Sequence, residues 1–189
     1  LYKNILKANP KYADIHYNLG LSYLGQGKID EAKSSFEDAL EINANYLQAK
    51  VKIAISNIFQ GRLENALDSL LVLSENYPNY ADIHYYLGIV YSAKNEIENA
   101  LESFRRAIKI NPAYKDARIK LATLYCYFER IEEGIKELEE VKRLDPEDKD
   151  ISIITCAIKS AVSSSSCPGE NFMEIYQNML FKDKQVVKT

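Results

Sequence analysis

Apolar residues recur at intervals of three and four along most of the chain, which is the period of helices that bury one stripe. The pattern breaks near Gly27, Gly61, Asn95 and Glu129, and again at Pro10, Pro78, Pro112 and Pro146. These prolines are separated by 68, 34 and 34 residues, and Ala44 stands where a further one falls due. Laid out in rows of 34 from Ala13, Leu47, Ala81 and Lys115, the chain agrees with itself position by position. The eighth position reads Gly20, Ala54, Gly88, Ala122 and the twentieth Ala32, Ala66, Ala100, Gly134, all small. The seventh (Leu19, Ile53, Leu87, Leu121) and twenty-fourth (Phe36, Leu70, Phe104, Leu138) are large and apolar. Small residues at one place in each of two helices let their backbones approach, and large ones fill the space between ridges. Each row is therefore predicted to be a helix, a tight turn and a second helix. The rows starting at Ala13 and Ala81 are the most alike: YADIHYNLG at 12–20 returns as YADIHYYLG at 80–88.

Leu19, Gly20 and Tyr23, followed by Ala32, Phe36 and Ala39, resemble the tetratricopeptide repeat. Leu87, Gly88, Tyr91, Ala100, Phe104, Ala107 and Pro112 repeat the pattern. The second and fourth rows depart from it in part, with Asn57 in place of Tyr, Leu73 and Val141 in place of Ala, and Gly134 in place of Ala. The resemblance implies an all-α, right-handed superhelical solenoid of four repeats at 13–46, 47–80, 81–114 and 115–148. Residues 1–12 read as the second helix of a partial repeat, with Tyr2, Ile5 and Pro10 in register. A repeat of this kind cannot bury its apolar stripe alone, so neighbouring repeats supply one another's core.

The resemblance also implies where a partner would lie. In this family the first helices line a concave groove through their positions two, five, six, nine, twelve and thirteen. Here those positions give the candidate contact residues Tyr17, Asn18 and Leu21; Val51, Lys52, Ile55 and Phe59; Tyr85, Tyr86 and Ile89; and Ile119, Lys120, Thr123 and Tyr127. The Lys and Asn clamp with which chaperone-binding relatives hold a terminal carboxylate is missing, since position five reads Tyr, Val, Tyr, Ile. An apolar, aromatic strip suits an amphipathic helix or an extended segment with apolar anchors. Part of the strip is expected to pack against the next repeat instead. Asp14, Asp82, Asp116 and Asp150 form an acidic column, which either favours a basic partner or complements the dipole in the first turn of each helix, the second reading being preferred.

Composition narrows the chemistry. A net charge of −3 leaves no basic footprint for nucleic acid, and no run is long and apolar enough to span a bilayer. Cys126, Cys156 and Cys167 are odd in number, far apart and without ligand spacing. They read as reduced thiols in a cytoplasmic protein. His16 and His84, both at position four, are too far apart on a stack to share a metal and read as packing residues. The Ser run at 163–166 lacks a neighbouring His or nucleophile elbow, and no Gly-rich phosphate loop occurs. The expectation is a non-enzymatic scaffold without cofactor that binds a protein or peptide. The alternatives are a regulatory repeat segment of a larger enzyme or signalling protein, and a self-associating array.

The ends carry three further expectations. Leu1, Tyr2 and Ile5 form an N-terminal edge that either meets upstream repeats or self-associates. Residues 149–162, with Ile151, Ile153, Ile154 and Ile158, read as a capping helix, followed by a Ser-rich linker at 163–170. Within 171–189, Asn171 and Glu174 resemble a capping box, and Phe172, Ile175, Tyr176 and Met179 share one helix face. The stretch 171–181 is thus predicted to dock, either as a cap on 149–162 or in the groove of its own or a neighbouring chain.

Overall fold

The computed structural model describes residues 12–147 and Ile151. All regular structure among them is α-helical. The chain divides after Pro78 into two compact units. The first holds α1 (Ala13–Gly25), α2 (Ile29–Ile42), α3 (Leu47–Phe59) and α4 (Leu63–Asn76); the second holds α5 (Ala81–Ala93), α6 (Ile97–Ile110), α7 (Lys115–Tyr127) and α8 (Ile131–Leu144). Within each unit every helix packs on the next in the chain. The fold is that of an all-α helical-repeat solenoid. The predicted capping helix (apart from Ile151), the Ser-rich linker, the segment 171–181 and the N-terminal edge lie outside the described residues.

The four helix pairs turn in the same way because the turn chemistry repeats. At the end of each first helix one residue adopts a left-handed backbone: Gly27 (φ 73), Gly61 (φ 72), Asn95 (φ 61) and Glu129 (φ 60). The next amide then reaches back five residues, Lys28 to the Tyr23 carbonyl at 3.0 Å and Arg130 to the Tyr125 carbonyl at 2.8 Å. This is the Schellman closure, which satisfies carbonyls left open at a helix end. Glycine adopts that geometry without strain and asparagine tolerates it, whereas Glu129 carries a Cβ into it.

Inside each pair, position eight of the first helix faces position twenty-four of the second. A Cβ on Gly20 would sit 2.5 Å from Phe36 Cε1, and one on Gly88 2.6 Å from Phe104 Cε1. Where position eight is Ala54 or Ala122, position twenty-four is the smaller Leu70 or Leu138. Glycine with phenylalanine and alanine with leucine are two ways of filling the same space at native density. Phe36, Leu70, Phe104 and Leu138 are all buried. In the second unit, Ile151 joins Ala122, Cys126, Leu138 and Val141 in one core cluster.

Candidate functional site

The first-helix faces are described unit by unit. In the first unit, Tyr17 is half-buried, its ring 5.1 Å from that of Tyr46 and 5.6 Å from that of Phe36. Asn18, Leu21 and Lys52 are half-buried, while Val51 and Ile55 are buried. Phe59, at the end of α3, is 39% exposed.

In the second unit, Tyr85 is buried, stacked 5.2 Å from Tyr114 and 5.9 Å from Phe104, with Tyr86 edge-on at 5.1 Å. Tyr86 and Ile89 are half-buried against that cluster, and Ile119 packs on the Cys126 and Leu138 cluster. Lys120 and Thr123 are buried, and the Thr123 hydroxyl donates to the Ile119 carbonyl at 2.6 Å, one turn back on its own helix. Tyr127 is 43% exposed, with the exposed ring of Phe128 perpendicular to it at 4.9 Å.

The predicted strip thus separates by what each side chain touches. Tyr85 is fixed in the core that the third and fourth repeats share. Phe59 and Tyr127 present rings to solvent. Phe128, which reading inner positions alone does not select, doubles the apolar surface at the end of α7.

A second feature was also missed at the inner positions. The residue before each first helix is tyrosine in every row: Tyr12, Tyr46, Tyr80 and Tyr114. Tyr46 donates to Asp14 and Tyr114 to Asp82, each joining the start of one repeat to the first turn of the repeat before. Burial, and then the neighbouring carboxylate, pushes the Tyr46 phenol up to about 12. The same two causes raise that of Tyr114 further. Asp14 and Asp82 therefore act as acceptors in tethers between repeats as well as in their helix first turns. The signal was present in the sequence as four tyrosines at one position.

Candidate reactive groups are held structurally. The Cys126 thiol is buried in the core, and burial pushes it up to about 11, so it stays protonated at neutral pH. His16 Nδ1 lies 3.2 Å from Asp38 Oδ2 across the α1–α2 pair. Among the described residues no group of His, Cys, Asp and Glu is arranged to hold a metal ion, and no helix is long and apolar enough to cross a membrane.

Tetratricopeptide repeat patterns match residues 13–46, 48–80 and 81–114, more than half of the chain. The chain belongs to the tetratricopeptide repeat family. Its repeats mark it as a protein–protein interaction scaffold. Among solved structures, it resembles the thermophilic TPR protein TTC0263 of Thermus thermophilus at a TM-score of 0.72 and 23% identity, over 83% of this chain and 86% of that one. MamA matches at 0.64 and 23% identity, over 79% of this chain and 87% of that one. YrrB, described as a TPR protein with an unusual peptide-binding site, matches at 0.61 and 20% identity, over 82% and 80%. At these identities the likeness is one of fold. No curated protein matches the sequence.

Proposed function

We propose that this tetratricopeptide repeat protein is a non-enzymatic scaffold that holds an apolar, aromatic-anchored peptide or helix segment of a protein partner against its first-helix faces. The observation that carries this reading is the exposure of Phe59 and of the Tyr127–Phe128 pair at the ends of first helices. Large rings held at a rigid helix end lose little entropy when covered, which is why aromatic side chains dominate binding energy. Tyr86 and Ile89, half-buried against a firm core, supply neighbouring apolar surface in the second unit. The description of YrrB as peptide-binding supports the class of ligand.

Under the same reading the protein works in the cytoplasm, and segment 171–181 either caps the repeats or is an internal ligand of the groove in cis or trans. The test begins with partner capture from native lysate and identification by mass spectrometry. The captured partner's affinity is then measured for the wild type, Phe59→Ala and Tyr127→Ala. Alanine at either ring is expected to weaken binding by about 1–2 kcal/mol with helicity intact. Unchanged affinity in both variants would remove the first-helix faces as the binding surface.

A further inference from the structure

We propose that a cleft bordered mainly by the second repeat is a separate docking site, for an extended segment of another protein in which an apolar side chain stands between one acidic and one basic residue. The proposal goes beyond the first-helix reading and uses none of its candidate contact residues.

A cleft of about 640 Å³ lies within the first unit, bordered by Leu40 of α2, by Lys50 and Ile53 of α3, and by Asp68, Val72 and Leu73 of α4. The second repeat departs from the other three at positions in and beside this cleft. Position twenty-five holds Glu37, Arg105 and Glu139 elsewhere but Leu71 here, and position twenty-six holds Asp38, Arg106 and Glu140 elsewhere but Val72. Leu71 and Val72 are 39% and 58% exposed. Charge at these two positions in every other repeat shows that the fold does not need them apolar. Uncovered, they only add apolar surface to water. Position thirty reverses the swap, with Ile42, Ile110 and Leu144 elsewhere but Asn76 here, beside the cleft.

Position four completes the picture. His16 and Arg118 reach across to acidic side chains of their own second helices, at 3.2 Å from Asp38 and 2.5 Å from Glu137. In the second repeat the equivalent Lys50 borders the cleft with Val72 and makes no ion pair among the described residues. Asp68, which lines the same cleft from α4, makes none among them either, and the two do not pair with each other. A cleft lined by Leu40, Ile53, Val72 and Leu73 together with two opposite, uncompensated charges is complementary to a segment with an apolar residue between an acid and a base. The acid meets Lys50 and the base meets Asp68, and this sets the direction in which the segment runs.

The test is an NMR titration of the ¹⁵N-labelled full chain with two capped pentapeptides, Glu-Ala-Leu-Ala-Lys and its reverse, Lys-Ala-Leu-Ala-Glu. One order is expected to shift the amides of Leu40, Asn45, Lys50 and Ile53 and of residues 68–77 saturably, with a Kd of about 1 mM. Serine in place of the central leucine should abolish the shifts. Lys50→Glu should weaken the preferred peptide about tenfold, and replacing that peptide's glutamate by lysine should restore binding to the variant. Thermal melts of the same samples confirm the fold, and Asp68→Lys with the complementary peptide gives a second, independent swap. Neither order shifting these amides, or Lys50→Glu and Asp68→Lys both leaving the affinity unchanged, would overturn the proposal. Either result leaves the first-helix reading untouched, because the titration reads a different face.

Discussion

Alanine at Gly20 places one methyl group where the chain has already placed an aromatic ring. The new carbon would lie 2.5, 2.7 and 2.9 Å from three ring atoms of Phe36, all inside van der Waals contact. The ring has little room to retreat: Phe36 is fully buried, and Tyr17 sits against it at 5.6 Å. Overpacking of this kind costs about 1–3 kcal/mol, and three simultaneous contacts with a rigid ring argue for the upper half of that range. Removing a glycine from a helix interior returns about 1 kcal/mol. The net expectation for Gly20→Ala is a loss of about 1–2 kcal/mol, or roughly 2–4 °C in Tm per kcal/mol for a chain of this size.

The informative variant is the double one. Phe36→Leu alone opens a cavity and is expected to cost about 1–2 kcal/mol. Gly20→Ala with Phe36→Leu recreates the pairing of Ala54 with Leu70, so the new methyl fills the space the ring has left. Urea melts followed by circular dichroism on all four proteins give the coupling energy. The double variant should be at least about 1 kcal/mol more stable than the sum of the single effects predicts. Additivity within about 0.5 kcal/mol would refute the argument that the two positions share one space.

Four further outcomes follow from the geometry. Glu129→Gly should raise stability by about 1 kcal/mol in urea melts, because Glu129 holds a left-handed φ of 60° that glycine adopts freely. Tyr85→Ala should cost about 3–5 kcal/mol in the same melts, since Tyr85 is buried against Phe104 and Tyr114. Tyr127→Ala, at 43% exposure, should stay within about 0.5 kcal/mol. At the alkaline end, the Tyr46 and Tyr114 phenols are raised above 10.0 in the folded chain. The folded state therefore holds those protons more tightly, and their stabilisation is intact below pH 10 and lost as pH rises through the folded values. Asp82→Asn should bring the tyrosinate absorbance titration to lower pH, and an unchanged titration would remove Asp82 as a cause.

The sequence made the helix pairs legible because one constraint is written four times. Proline spacing, small residues at positions eight and twenty, and large ones at seven and twenty-four all report the same packing. A single helix would not have fixed its partner so clearly. The left-handed turn at Glu129 was legible as a break in the apolar pattern, because position fifteen is glycine at Gly27 and Gly61. The contact face was less legible. Position five points the same way in every repeat, but whether its side chain is free depends on what lies above it. Tyr85 is covered by Tyr114, a residue nearly a full repeat later, and the sequence of one helix does not contain that contact. The apolar patch at Leu71 and Val72 was readable by aligning the rows at positions twenty-five and twenty-six. It falls outside the inner positions, where a search for a peptide site begins.

The kinship of the first and third rows also bears on where a partner can bind. In those repeats Tyr17 and Tyr85 each lie against a phenylalanine, Phe36 or Phe104, and against the next repeat's leading tyrosine, which is itself tied to Asp14 or Asp82. Such a quartet is cohesive, but its rings are spent on holding repeats together. Position thirteen shows the complement: Gly25 and Ala93 in the first and third repeats, Phe59 and Tyr127 in the second and fourth, both exposed. Exposed aromatic surface at this position therefore appears in the repeats that lack the internal tyrosine stack. An aromatic introduced at Gly25 or Ala93 would add to that surface without disturbing either quartet; under the proposed function, one removed at Phe59 or Tyr127 would subtract from binding and leave folding alone.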